Sequence, residues 1–182
     1  MKEQLTPQQR EEVNNEWARS QFQKANAYLA EKGILPDNVA VSESRYLTPL
    51  MAVWKITAQD RKQYWVISGD LPTDHMPLSA AKDAREAVRA FSLNWQLKAD
   101  QIMNSGAIDQ TKKDFANLLI HRAHGLYDLF DKEELWNLPS FKKRCLLIDS
   151  GVSGFQFLRT PFTPKHLSLE DLHVPELGEN NE

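Results

Sequence analysis

Two apolar segments rich in β-forming residues lie close together near the middle of the chain, and they constrain its fold more than any other feature. They span residues 50–57 and 64–67, and the polar residues 59–62 separate them. This pattern is typical of an antiparallel hairpin, in which a polar connection joins two strands with buried side chains. Arg61 lies where a tight turn prefers glycine, so we expect a longer or looser loop there.

A helix is predicted before the hairpin. Thr6 and Pro7 form a typical helix start, because threonine caps backbone amides and proline suits the first helical position. An apolar face follows, and Gly33 ends the helix. The members of this face are Trp17, Ala18, Phe22, Ala25, Tyr28 and Leu29.

Two longer helices are predicted after the hairpin. The second helix begins at Asp83, and its apolar residues recur every three or four positions along one stripe. Leu93 and Leu97 fall on the opposite side, where they either pack under a neighbouring helix or form an oligomer contact. The third helix spans residues 111–130, and we expect it to be largely buried, because apolar residues occupy more than half of its circumference. The stripe of the second helix is Ala84, Val88, Phe91, Trp95, Ala99 and Ile102.

These elements predict an α+β fold. It consists of an N-terminal helix, a three-stranded antiparallel sheet with one face covered by helices, and two to three following helices. The first strand is predicted over residues 39–46. A length of 182 residues suits one domain with extensions. We place the domain at residues 6–138, a small appendage that could form a short hairpin at 139–165, and an acidic, partly disordered tail at 166–182.

Composition narrows the class of partner. The formal net charge of −3 argues against a dedicated nucleic-acid-binding protein. No run of about 18 apolar residues, the length that a membrane-spanning helix needs, is present. The N-terminal residues lack the apolar core of a signal peptide, and the one cysteine, Cys145, suits a reducing compartment. We therefore expect a cytoplasmic protein that binds neither nucleic acid nor a membrane.

Sequence signals of several common enzyme classes are missing. The seven glycines form neither a dinucleotide-binding fingerprint nor a phosphate-binding loop. The residues around Ser153 imitate a nucleophile elbow, but Phe155 stands where its second glycine is required. We therefore predict no catalytic residue and no cofactor.

The loop predicted after residue 67 carries the first group of candidate binding residues. Asp70, Asp74 and His75 stand among prolines that stiffen the backbone, and His75 could act as a base or a ligand. Arg85 on the following helix could hold an anionic group. Alternatively, the two aspartates are ordinary turn residues that cap backbone amides.

A polar stripe on the third helix offers a weaker alternative site. His121 and His124 lie one turn apart, and Asp128 lies one turn further, which is a spacing that metal ligands use. However, one helix cannot close a tetrahedral site, and a helix that is largely buried must still expose a polar stripe. A solvated stripe is therefore the default interpretation.

The C-terminal tail contains a second candidate interaction segment. Residues 168–177 mix leucines, among them Leu169 and Leu172, with acidic residues. Such a segment can dock into a groove on a partner or on its own domain.

Several short sequences are distinctive enough to suggest a family. They are Val53-Trp54-Lys55-Ile56, the residues 64–72, Ala84-Arg85-Glu86-Ala87, the residues 91–96 and the residues 125–130. With them, residues 15–138 or so resemble a family of small uncharacterised bacterial cytoplasmic proteins that is catalogued as a domain of unknown function. The resemblance implies a compact domain and assigns no catalytic residue.

Three functional hypotheses follow. The leading one is a non-enzymatic protein-interaction module that could self-associate and that uses Leu93, Leu97 and the tail leucines. The alternative is a small ligand-binding protein or hydrolase that uses the loop from Asp70 to His75. The third is a metal site on the third helix.

Overall fold

A computed structural model describes residues 6–106 and 108–137 of the chain. The helices are α1 (Pro7–Glu31), α2 (Ala84–Met103), α3 (Gln110–Asp131) and the short α4 (Glu133–Asn137). The strands are β1 (Pro36–Val39), β2 (Arg45–Leu47), β3 (Met51–Ala58), β4 (Gln63–Gly69) and β5 (Asp74–Pro77). The predicted appendage and tail lie outside the described residues.

All strand pairs in the sheet are antiparallel, and the central pair is the predicted hairpin of β3 and β4. In the described part of the chain the sheet has five strands, in the order β1-β3-β4-β5. β2 also pairs with β3, so β1 and β2 share the edge of β3 that β4 leaves open. The α+β class is thus confirmed, whereas the prediction of three strands was wrong.

The strand count differs from the prediction for two reasons. The single strand predicted over residues 39–46 is in fact two short strands, β1 and β2, on either side of a turn at residues 41–43. The segment from Asp74 to Pro77, predicted as loop, forms the edge strand β5. An edge strand tolerates proline because one side of its backbone needs no partner.

Both faces of the sheet are covered, rather than the one face that was predicted. α1 covers one face, where its apolar side packs on Trp54, Ile56 and Val66. α2 covers the other face, above Val53 and Trp65. Because side chains of a strand alternate between faces, a sheet buried on both sides requires strands that are apolar almost throughout.

The ends of the helices follow the predicted local signals. The Thr6 hydroxyl accepts from the backbone amide of Gln9, and the Gln9 side chain accepts from the Thr6 amide in return. Gly33 follows α1 with a φ of 75°, which only glycine adopts readily. Asp83 caps α2 by accepting from the amide of Glu86.

The connection between β3 and β4 consists of the four residues 59–62, which is longer than a two-residue hairpin turn, as predicted. The amide of Arg61 donates to the carbonyl of Ala58, and the amide of Ala58 donates to the carbonyl of Lys62. Arg61 adopts a φ of 70°, the left-handed conformation that glycine would supply without strain. The longer connection is therefore present, and it holds Arg61 in the strained conformation.

α3 packs against α2 on the same side of the sheet. Phe115, Ala116, Leu119, Ala123 and Leu126 are buried, whereas Leu118 and Tyr127 are substantially exposed. The expectation of a largely buried α3 was therefore wrong, because its buried side is a single stripe. None of the helices in the described residues is long and apolar enough to cross a membrane.

Candidate functional site

Asp74 is a buried carboxylate at the start of the edge strand β5, with 5% of its surface exposed. One carboxylate oxygen accepts from the Trp95 indole N–H at 2.9 Å and from the Lys98 ammonium at 3.0 Å. The other accepts from the amide of His75 at 2.9 Å and from the Tyr28 hydroxyl at 3.5 Å. Each oxygen therefore has two donors, which fills the acceptor capacity of a carboxylate.

The donors to Asp74 come from three different layers of the fold. Tyr28 belongs to α1 on one face of the sheet, and Trp95 and Lys98 belong to α2 on the other. Asp74 lies at the edge between them and so joins the two helices across the sheet. At a buried site such as this one, hydrogen bonds to a charged group are strong, and the loss of one partner destabilises the fold.

His75 lies beside this cluster and is partly exposed. Its Nδ1 is 3.3 Å from the Tyr28 hydroxyl, and its ring contacts the edges of the Tyr28 and Tyr64 rings. The Tyr28 hydroxyl carries one proton, so Nδ1 of His75 is the donor toward Tyr28 whenever that proton is donated to Asp74. The sequence placed Asp74 and His75 in one loop, and the structure connects them through Tyr28.

Asp70 is separate from the Asp74 cluster and mostly exposed. Its carboxylate forms an ion pair with Arg122 of α3 at 3.2 Å. The nearby Lys24 ammonium of α1 donates to the carbonyl of Gly69 at 3.2 Å. Partial burial lowers the pKa of Lys24, and the negative charge of Asp70 offsets part of this effect.

Arg85 interacts with the C-terminal end of α3. Its Nε donates to the carbonyl of Phe130 at 3.0 Å, and its guanidinium lies 5.0 Å from the centre of the Phe130 ring. A cation is favourable at this position, because the end of a helix carries partial negative charge. The role of Arg85 in holding an anion stays a prediction.

The outer face of α2 carries the predicted pair of leucines. Leu93 and Leu97 are 42% and 62% exposed and lie one turn apart, opposite the buried stripe. Arg89 on the same face forms an ion pair with Glu86 at 3.4 Å. Among the described residues, this is the only place where two exposed large apolar side chains are one helical turn apart.

The polar stripe of α3 does not bring its candidate metal ligands together. His121, His124 and Asp128 are all exposed on the outer side of the helix. Within residues 6–106 and 108–137, no three histidine, cysteine or acidic side chains are grouped closely enough to hold a metal ion. Leu169 and Leu172 lie outside the described residues.

Sequence reasoning missed the donors that surround Asp74. Tyr28 and Trp95 were assigned to apolar faces, and no role was predicted for Lys98. A signal for Trp95 was present, because a buried indole N–H needs an acceptor and an apolar stripe offers none. Nothing local in the sequence pointed to Tyr28.

These features define a three-layer α+β domain with a buried carboxylate at its sheet edge and an exposed apolar helix face. The chain belongs to the family described as Domain of unknown function (DUF4826), whose family model matches residues 11–136. This match confirms the resemblance found in the sequence. No curated protein and no solved structure matches the chain.

Proposed function

We propose that the protein is a non-enzymatic interaction module of the bacterial cytoplasm that binds a protein partner through the outer face of α2. The observation that carries the proposal is the exposure of Leu93 and Leu97. Burying a whole leucine side chain stabilises by about 1.5–3 kcal/mol. The exposed fractions of Leu93 and Leu97 together equal about one whole leucine side chain. Covering both with a partner should therefore contribute about 1.5–3 kcal/mol to the binding free energy.

The polar groups of the domain support a binding role better than a catalytic one. The carboxylate of Asp74 is fully occupied by donors from its own chain, so it has no lone pair left to accept a proton from a substrate. Asp70 and Arg85 are engaged with α3. A ligand site or hydrolase at the Asp70–His75 segment remains the alternative proposal, and His75 is the residue on which it depends.

The exposed leucines also differ from the other exposed apolar residues of the domain. Single exposed apolar side chains are normal on protein surfaces and need no explanation. Leu35, at 54% exposure, is one of these. Two leucines at a spacing of four residues instead form a continuous ridge, which is the form in which helices recognise each other.

Affinity capture after chemical crosslinking in cells tests the proposal. We expect the tagged chain to carry a crosslinked protein partner, another molecule of itself included. The double substitution Leu93→Glu with Leu97→Glu should remove this partner, whereas the matched control Leu35→Glu should retain it. Equal capture by all three proteins would refute the proposal, provided that circular dichroism shows each variant to be folded.

A further inference from the structure

We infer that the partner at the outer face of α2 is a second copy of this chain, bound with the two α2 helices antiparallel about a two-fold axis. The inference rests on the proposed function and adds the identity and orientation of the partner. It is based on the order of charged and apolar residues along the exposed face of α2. Two-fold pairing of identical subunits is also the commonest symmetry among oligomers.

The apolar centre of such a pair is formed by the leucines. We place the two-fold axis level with the midpoint between Leu93 and Leu97. Leu93 of each copy then lies opposite Leu97 of the other, which gives two equivalent contacts. Residues on a helix rise about 1.5 Å each, so the four leucines span about 6 Å along the interface. Ala90, a small partly buried residue, continues the same ridge and lets the helices approach closely.

Opposite charges meet on the flank of this centre. Arg89 lies about 9 Å before the axis, and Asp100 lies about 7.5 Å after it. At about 100° per residue the two side chains point within about 20° of each other, on the same side of the leucine ridge. In an antiparallel pair, Arg89 of each copy therefore lies beside Asp100 of the other, giving two ion pairs. Both side chains are exposed.

The ends of the face fit the same arrangement. Glu86 lies level with Asn104 of the other copy. The side-chain amide of Asn104 donates one hydrogen to Asp100 of its own chain at 3.0 Å and keeps a second hydrogen that can be donated to the carboxylate. A parallel pair would place each residue level with its own copy. Glu86 lies in line with the leucines and would then face Glu86, whereas Arg89 and its copy would lie on opposite flanks of the ridge. The sequence of charges along α2 therefore favours the antiparallel orientation and disfavours the parallel one.

Charge reversal tests this arrangement without touching the core. Sedimentation of the purified full chain over a range of concentrations should show a monomer–dimer equilibrium. Arg89→Asp alone and Asp100→Arg alone should each weaken the dimer roughly tenfold or more, because each variant brings like charges together twice. The effect should shrink in high salt.

An equimolar mixture of the two single variants is the decisive sample. In a mixed dimer, both flanking pairs again join opposite charges, so we expect heterodimers to form while each variant alone stays mostly monomeric. If no heterodimer forms in the mixture, the antiparallel arrangement is overturned. Circular dichroism of each variant excludes unfolding as the cause, since Arg89 also touches Glu86 and the Phe130 ring.

Two further outcomes separate this inference from the proposed function. In the first, the wild-type chain is monomeric at every concentration, and substitution of Leu93 and Leu97 removes a different crosslinked protein. This result would overturn self-association but would agree with the proposed interaction module. Dimerisation that appears only after deletion of residues 166–182 would also overturn it, because the tail would then be the resident occupant of the face.

Discussion

Replacement of Asp74 by alanine is expected to destabilise the domain far more than replacement of Asp70, although both aspartates follow β4. Asp74 is buried and accepts four hydrogen bonds. Asp70 has a side chain that is 70% exposed and holds one ion pair with Arg122. The comparison therefore separates a structural carboxylate from a surface carboxylate within one short segment.

The magnitude follows from the donors that each substitution leaves behind. Without Asp74, the indole N–H of Trp95 and the amide of His75 lose their acceptor, at about 1–3 kcal/mol for each buried donor. Lys98 is 41% exposed and can turn into solvent, so its loss adds only about 0–1 kcal/mol. We expect Asp74→Ala to lower the free energy of unfolding by about 2–7 kcal/mol and Asp70→Ala by about 0–1 kcal/mol.

Urea unfolding followed by tryptophan fluorescence measures both values at one pH. A further comparison in the background of Trp95→Phe isolates one of the stranded donors, because Asp74→Ala should cost less where the indole N–H is already absent. Equal losses for Asp74→Ala and Asp70→Ala would refute the reasoning. So would an Asp74→Ala variant of unchanged stability that loses a bound small molecule, which would favour the ligand alternative.

Three other substitutions test local features. Arg61→Gly should raise the free energy of unfolding by about 0.5–1 kcal/mol in urea titrations, because glycine removes the left-handed strain but adds freedom to the unfolded chain. Gly69→Ala should lower it by about 2–4 kcal/mol, since the φ of 142° and a Cβ placed 2.4 Å from the Leu50 carbonyl oxygen both oppose a side chain. Lys24→Met should change how stability varies with pH. The pKa of Lys24 in the folded state is lowered below its ordinary value of 10.5. In the alkaline range up to that value, the unfolded state therefore binds more protons than the folded state. Wild-type stability should therefore rise with pH relative to the variant there.

A control variant is available for Gly69→Ala, and the other two predictions each have a contradicting outcome. Gly125→Ala, at an exposed position of α3 with no atom near the added Cβ, should raise stability by up to about 1 kcal/mol, opposite in sign to Gly69→Ala. An Arg61→Gly variant that is less stable than wild type would contradict the assignment of strain to the turn. A stability difference between wild type and Lys24→Met that stays constant up to pH 10.5 would contradict the burial of the Lys24 ammonium.

The parts of the fold that could be predicted from the sequence depend on neighbouring residues. Caps at Thr6 and Asp83 act over three residues, and the stripe of α2 repeats within one helix. β5 was missed because Asp74 and Pro77 favour loops, and its strand conformation comes from pairing with β4. The nearly unbroken apolar character of β4 was the available sign that both faces of the sheet are covered.

The candidate site was predicted only in part, for the same reason. The sequence singled out Asp74 and His75, which are neighbours. It could not supply Tyr28, which is 46 residues from Asp74, because that contact exists only after α1 and β5 have packed on the same sheet. Leu93 and Leu97 were found correctly as lying opposite the buried stripe, since one helix determines both positions.

Photo-crosslinking in cells tests the central claim, that the outer face of α2 is a protein-binding surface, most directly. A photoreactive amino acid replaces Leu97 in one protein and Leu35 in another, and both proteins are irradiated in cells that naturally express the chain. We expect a discrete adduct at position 97 and none at position 35, and this adduct has twice the chain mass if the partner is a second copy. No adduct at position 97, or the same pattern at both positions, would contradict the account.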